Sequence, residues 1–279
     1  MRLIRTSLIV LVLLGAAWFA VRYVWEILPI YIYSEPAVGD INASQIPVLM
    51  YHKISPDPKS GGFGTRVTPA RFNLQMQYLA KNGYHTVQLT ELADFIKEDK
   101  TLPPKSIVIT CDDGYLDNYK YAFPILKKYG FTATVFVVAD YIGKTNDFDV
   151  EKGLQPVNQL LGWNEIDQMS DYGITIGAHT LSHVSLTDVT LPEARYEIEN
   201  CKLVLEKHLG TSVEAFAYPY GHYNGQLEET VKESGYTIAV TTDQGLVTPR
   251  SDPYAIKRVR IRGDYNLRKF IDEFRNTRT

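Results

Sequence analysis

The sequence predicts an α/β protein whose parallel strands close, or nearly close, into a barrel. Short apolar and β-branched runs alternate with helical patterns from residue 46 onward, and seven or eight such units fit within a chain of 279 residues. The alternative is an open doubly wound sheet, which finds no support because no glycine-rich dinucleotide fingerprint joins a strand to a helix. The glycine cluster GGFG at 61–64 has neither flank and reads as a flexible loop.

Strands are expected at 46–51, 85–89, 106–111, 132–138, 174–178, 215–218, 237–241 and 256–261. Helical periodicity falls at 69–81, 119–128, 191–209 and 226–234, the third opening with Thr190 and Glu193 in capping-box spacing. A net charge of −3, without runs of Lys or Arg in the body, argues against a nucleic-acid backbone as partner. The two cysteines, Cys111 and Cys201, form no framework and read as small core residues.

Residues 1–33 are a separate object. Arg2 and Arg5 precede an uncharged apolar block at 7–21, somewhat shorter than the roughly 20 residues of a spanning helix. Arg22 interrupts it, and aromatic apolar text resumes at 23–33. The expectation is an N-terminal transmembrane signal anchor at 1–33, a linker at 34–45 and a single domain at 46–279. The basic residues then keep the N-terminus in the cytoplasm and place the domain outside a single-pass cell-membrane protein. The alternative is a cleaved signal peptide and a secreted domain, although no small-x-small cleavage site is present.

The stretch SIVITCDDGYLDN at 106–118 ends an apolar run with Asp112 and Asp113, followed at once by Gly114, which signals a sharp turn. The acids therefore stand at a strand's carboxyl end, where loops of parallel folds converge on a cleft. A helix cap with a first-turn acid is the plainer reading of the pair. A second signal, IGAHTLSHVSL at 176–186, puts His179 and His183 directly after another strand. Two imidazoles and one carboxylate make a zinc-hydrolase shell with an open position for water. The spacing is that of H-E-x-x-H, but Thr180 occupies the general-base position, which argues against a zincin peptidase. If the histidines bind a metal, and are not simply a pair of partly buried loop residues, the acid pair can supply the base, one member facing the metal and the other the attacking water. Trp163 suits either a sugar-stacking wall or a helix start; His85 and His208 read as structural, and His222 as a loop residue.

Together, TCDDGY at 110–115, HTLSH at 179–183 and FAYPYG at 216–221 resemble the polysaccharide deacetylases with a NodB-type domain, over about 46–275. The resemblance implies a distorted (β/α) barrel that removes acetyl groups from acetylated sugars with a divalent metal, zinc first, with cobalt, nickel or manganese as alternatives. Carried over, it makes Asp113, His179 and His183 the metal ligands, Asp112 the general base and the Tyr220 N–H an oxyanion donor. Tyr115, Tyr218 and Pro219 become groove residues beside Trp163. Two positions depart from the family pattern. No histidine follows His222 to act as the late acid, and Ala217 stands where relatives carry an arginine that orients the base. The text MYHKI at 50–54 is similar to the branch that deacetylates poly-N-acetylglucosamine of biofilm matrices, which assigns the acid to His52. Arg258, in IKRVRI, is the expected replacement for the arginine. The implied substrate is an extracellular or cell-wall N-acetylated polysaccharide, poly-N-acetylglucosamine ahead of peptidoglycan, with a non-catalytic carbohydrate-binding relative as the contrasting reading.

Overall fold

The computed structural model describes residues 15–18, 20–21, 44–98 and 100–276. Its strands are β1 (Val48–Tyr51), β2 (Lys53–Ile54), β3 (Arg66–Val67), β4 (His85–Thr86), β5 (Ser106–Cys111), β6 (Thr134–Val137), β7 (Thr175–Ala178), β8 (Ala215–Ala217), β9 (Ile238–Gln244) and β10 (Ile256–Arg260). Strand β1 pairs with both β10 and β5, so the order β1-β10-β9-β8-β7-β6-β5 closes on itself as a seven-stranded parallel barrel. Strand β4 adds to the start of β5, and β2 and β3 form a separate ribbon. The helices are α1 (Pro69–Lys81), α2 (Leu89–Lys97), α3 (Phe123–Tyr129), α4 (Asp147–Val150), α5 (Trp163–Tyr172), α6 (Leu191–Leu209), α7 (Gly225–Glu233) and α8 (Leu267–Asn276).

Strand parity sorts the apolar residues into two layers. Within β5, Val108 joins Val48, Phe136, Ala217, Val240 and Ile256 inside the barrel. Its neighbours Ile107, Ile109 and Cys111 join the layer between the strands and the outer helices. Leu89, Leu92 and Phe95 of α2 belong to the inner layer and close one end of the barrel. All six residues of β5 are buried, which is why this strand reads as an unbroken apolar run.

Each expected strand is present, with 85–89 shortened because α2 starts at Leu89. Helix α6 keeps its expected start: the Thr190 N–H donates to the Glu193 carboxylate at 2.9 Å, and Gly210 ends the helix in the left-handed conformation. The segment expected as one helix at 119–128 divides into a wide π turn, Asn118–Ala122, and α3. That turn has a local cause and a local use. Asn118 is buried, and its Nδ2 donates to the His52 carbonyl at 2.7 Å, pinning the end of β1. The expected anchor at 1–33 and linker at 34–45 fall almost wholly outside the described residues. Among the described residues no helix is long and apolar enough to cross a membrane.

Candidate active site

Register places the first functional pair. Tyr51 of β1 is opposite Cys111 of β5, so the next residues, His52 and Asp112, leave the barrel side by side. Their side chains approach to 3.9 Å. Val108, Thr110 and Asp112 share the inward parity of β5, so apolar packing gives way to polar groups toward the strand's carboxyl end. Simple alternation would send Asp113 outward. Instead Asp113 has φ 70° and Gly114 φ 68°, and the turn brings the second acid back over the cleft. A side chain at Gly114 would also meet Val137 at 3.0 Å, so glycine is required for both conformation and space. The pair is therefore not a helix cap.

The two carboxylates have different surroundings. Arg258 of β10 donates to both oxygens of Asp112 at 2.7 Å each, to the Thr110 hydroxyl at 3.0 Å and, through Nε, to the Thr241 carbonyl at 2.7 Å. Burial would raise the Asp112 carboxyl, but the Arg258 guanidinium outweighs it and holds it below the ordinary carboxylate value. Asp113 instead faces His179 and His183, whose Nε2 atoms lie 3.4 Å from one of its oxygens. Burial opposes its charge too, and the two imidazoles hold it well below the ordinary range. Burial lowers the His52 imidazole below its ordinary value, an effect only partly offset by Asp113 and Asp112.

One donor atom from each of Asp113, His179 and His183 lies within 4.8 Å of the others, and all three residues are buried. His179 donates from Nδ1 to the Ala217 carbonyl at 2.7 Å, which places a proton on Nδ1 and turns Nε2 toward Asp113. This donor set and tautomer fit a divalent metal. His183 sits on a tight loop held by its own N–H donating to the Thr180 hydroxyl at 2.9 Å and by Ser182 donating to Glu197 of α6. The His183 Nδ1 has no hydrogen bond; Asp149 of α4 stands 3.7 Å away. Asp149 also accepts from the Tyr220 hydroxyl at 3.4 Å, and Lys152 donates to that hydroxyl at 3.1 Å. Burial, then the Asp113 charge, raises the Asp149 carboxyl. Among the described residues, the non-glycine positions with positive φ are, apart from Lys105, Asp113, Thr180, His183 and Tyr220, all at this site.

The cleft above these groups is lined by His52, Asp112, Asp113, His179, His183, Tyr218 and Tyr220, and also by Thr65, Asp149, Gln155, Thr242 and Arg260. Three expected groove residues are elsewhere, which corrects that part of the reading. Trp163 starts α5, packs on the outer layer and stacks on His208 with ring centroids 3.9 Å apart. Tyr115 is buried behind the site against Val138, Phe148 and Leu160. Pro219 is buried in the short turn that sets up Tyr220. Among the residues sequence reading missed, Arg260 repeats the parity of Arg258 and was discoverable on that ground. Asp149, Lys152 and Gln155 lie in an excursion between β6 and α5 whose polar text carries no periodic signal.

A parallel barrel with a buried Asp-His-His cluster and an arginine-paired carboxylate at its strand ends has the form of a hydrolase site. Residues 99–239 match the family model for polysaccharide deacetylases. YxkH of Bacillus subtilis (strain 168), named for polysaccharide deacetylation, is 32% identical over 218 residues, covering 78% of this chain and 72% of that protein. The poly-beta-1,6-N-acetyl-D-glucosamine N-deacetylase of Staphylococcus epidermidis is 30% identical over 209 residues, covering 71% of this chain and 68% of the relative. In structure, the Streptococcus pyogenes deacetylase PplD, solved with acetate, superposes with a TM-score of 0.72 at 27% identity, over 84% of this chain and 99% of that one. The chain belongs to the polysaccharide deacetylase family.

Proposed function

We propose that this protein hydrolyses N-acetyl groups on an amino sugar polymer, poly-N-acetylglucosamine ahead of peptidoglycan. The observation that carries the reading is the division of labour between adjacent acids: Asp112 is locked to Arg258, and Asp113 is turned to face two histidines. Zinc, or cobalt, nickel or manganese in its place, would be held by Asp113, His179 and His183, and when bound it supplies Lewis acidity toward water and the acetyl carbonyl. Asp112, kept ionised and oriented by Arg258, accepts the proton of the attacking water. The Tyr220 backbone N–H, in a left-handed turn at the cleft, donates to the acetyl oxygen as negative charge develops there. His52 passes a proton to the departing nitrogen as the C–N bond breaks, leaving acetate and a free amine. That proton is the one Asp112 took from the water, handed to His52 across their separation of 3.9 Å before the bond breaks.

Sugar contact falls to the half-buried Tyr220, which lines the cleft, whereas the Tyr218 ring is fully buried in the core. The similarity to the Staphylococcus epidermidis enzyme supports the choice of polymer. The apolar block at 7–21, flanked by arginines, supports an anchored protein with residues 46–279 outside the cell membrane. The test is acetate release from N-acetylglucosamine oligomers before chelation, after it, and after zinc return. Release that is lost and then restored is expected. Absence of release under every metal would reject the substrate and turn attention to peptidoglycan or to a binding role.

A further inference from the structure

Arg260 is the cation that the catalytic arrangement does not use. It ends β10 two residues after Arg258, with the same inward parity, and is opposite Met50, two residues before His52. Whereas Arg258 is fully buried and engaged at every nitrogen, Arg260 is half-buried at the cleft wall. Its backbone N–H donates to Gln244 at 3.3 Å, but its guanidinium has no hydrogen-bond or ion-pair partner among the described residues. No carboxylate of the cleft is left to neutralise it. Asp112 is taken by Arg258, Asp113 lies between two imidazoles, and Asp149 is engaged with His183 and Tyr220. A second cation, Lys152, stands beside the Tyr220 hydroxyl.

Each turnover of the proposed reaction converts a neutral acetamido group into an amine that is positively charged near neutral pH. The polymer therefore changes sign-bearing character as the enzyme works on it, while the cleft wall keeps a fixed positive charge. Like charges brought together away from bulk water oppose binding, and this is a means of rejecting one ligand among close relatives. We propose that Arg260 makes the cleft reject a sugar flanked by an already deacetylated neighbour, so that free amines are spaced along the polymer. This inference rests on the deacetylase reading above and adds the preferred state of the substrate.

The experiment is partial conversion of the N-acetylglucosamine hexamer by the full chain, with the positions of free amines in doubly deacetylated products read by tandem mass spectrometry. Adjacent amines should be several-fold rarer than chance for the wild type, and Arg260→Gln should bring them close to chance. Arg260→Lys, which keeps the charge, should retain the wild-type pattern. High salt should move the wild type toward the glutamine variant through screening, a check that requires no mutation. Equal adjacency in wild type and Arg260→Gln overturns the assignment.

Calorimetric binding of fully acetylated and singly deacetylated hexamers separates this inference from the reading beneath it. If no acetate is released, weaker binding of the deacetylated hexamer keeps the role of Arg260 while the deacetylase reading falls. Equal binding of the two, or no binding of either, removes the role of Arg260 as well.

Discussion

Arg258 reaches Asp112 through two contacts of 2.7 Å, whereas Asp149 stands 3.7 Å from His183 and 3.4 Å from the Tyr220 hydroxyl. The first group is carried by strands: Thr110, Asp112, Thr241 and Arg258 meet because barrel register and parity leave them nowhere else to point. The second is carried by loops and short turns, in which His183 and Tyr220 have left-handed backbones. One half of the site is thus set by the same pairing that closes the barrel, and its contacts are short and fully made. The other half depends on local chain shape and leaves a buried imidazole nitrogen without a hydrogen bond.

The sharpest way to break this contrast is Arg258→Met. Removing the guanidinium leaves Asp112 buried and unpaired, so a loss of about 3–5 kcal/mol is expected in urea unfolding, with activity abolished. Its pH dependence has a definite sign. Arg258 holds the Asp112 carboxyl below its unfolded value, so the pair stabilises the protein above about pH 4 and loses that contribution as the pH falls. The variant should lack that part of the acid slope. A destabilisation below about 1 kcal/mol would mean that the strand-borne half is no more tightly determined than the loop-borne half.

Next in size is His52→Ala, expected to lower turnover by about 10²–10³-fold with bound metal unchanged. Equal loss of metal and turnover would remove His52 from the role of acid and make it a support for the metal cluster. The smallest effect belongs to the loop side. Asp149→Asn should weaken metal affinity by roughly tenfold, measured by competition with a chelator. An unchanged affinity would mean that His183 is held by its ring neighbours Phe148 and Tyr220, at centroid distances of 4.4 Å and 4.8 Å, and not by the acid.

The same division explains what could be read from the chain. His52, Asp112, Asp113, His179 and Arg258 follow or lie in runs whose β-branched residues mark them as strands, so position along a strand already implies position around a barrel. His183 was legible through its spacing from His179. Asp149 and Lys152 were not, because their meeting with Tyr220 joins segments about 70 residues apart, and neither segment has a periodic pattern to orient it. Trp163 illustrates the opposite error. An aromatic residue beside a glycine suits a sugar wall or a helix start, and only tertiary packing against the outer layer and His208 separates the two. The π turn at Asn118–Ala122 was hidden for a related reason: its sequence has ordinary helical composition, and its widening serves a contact with the end of a distant strand.

Left-handed backbone at Asp113, Thr180, His183 and Tyr220 has a bearing on engineering. Each such residue costs on the order of 1–3 kcal/mol against relaxed alternatives, and the surrounding barrel must hold it there. Grafting the same side chains onto the strand ends of another parallel barrel would reproduce the letters while sending Asp113 away from its histidines. A transplant would have to carry the loop shapes and the residues that brace them, Glu197 behind Ser182 and Val137 against Gly114. The portable unit is therefore a set of bent main-chain segments, with the reactive groups as passengers.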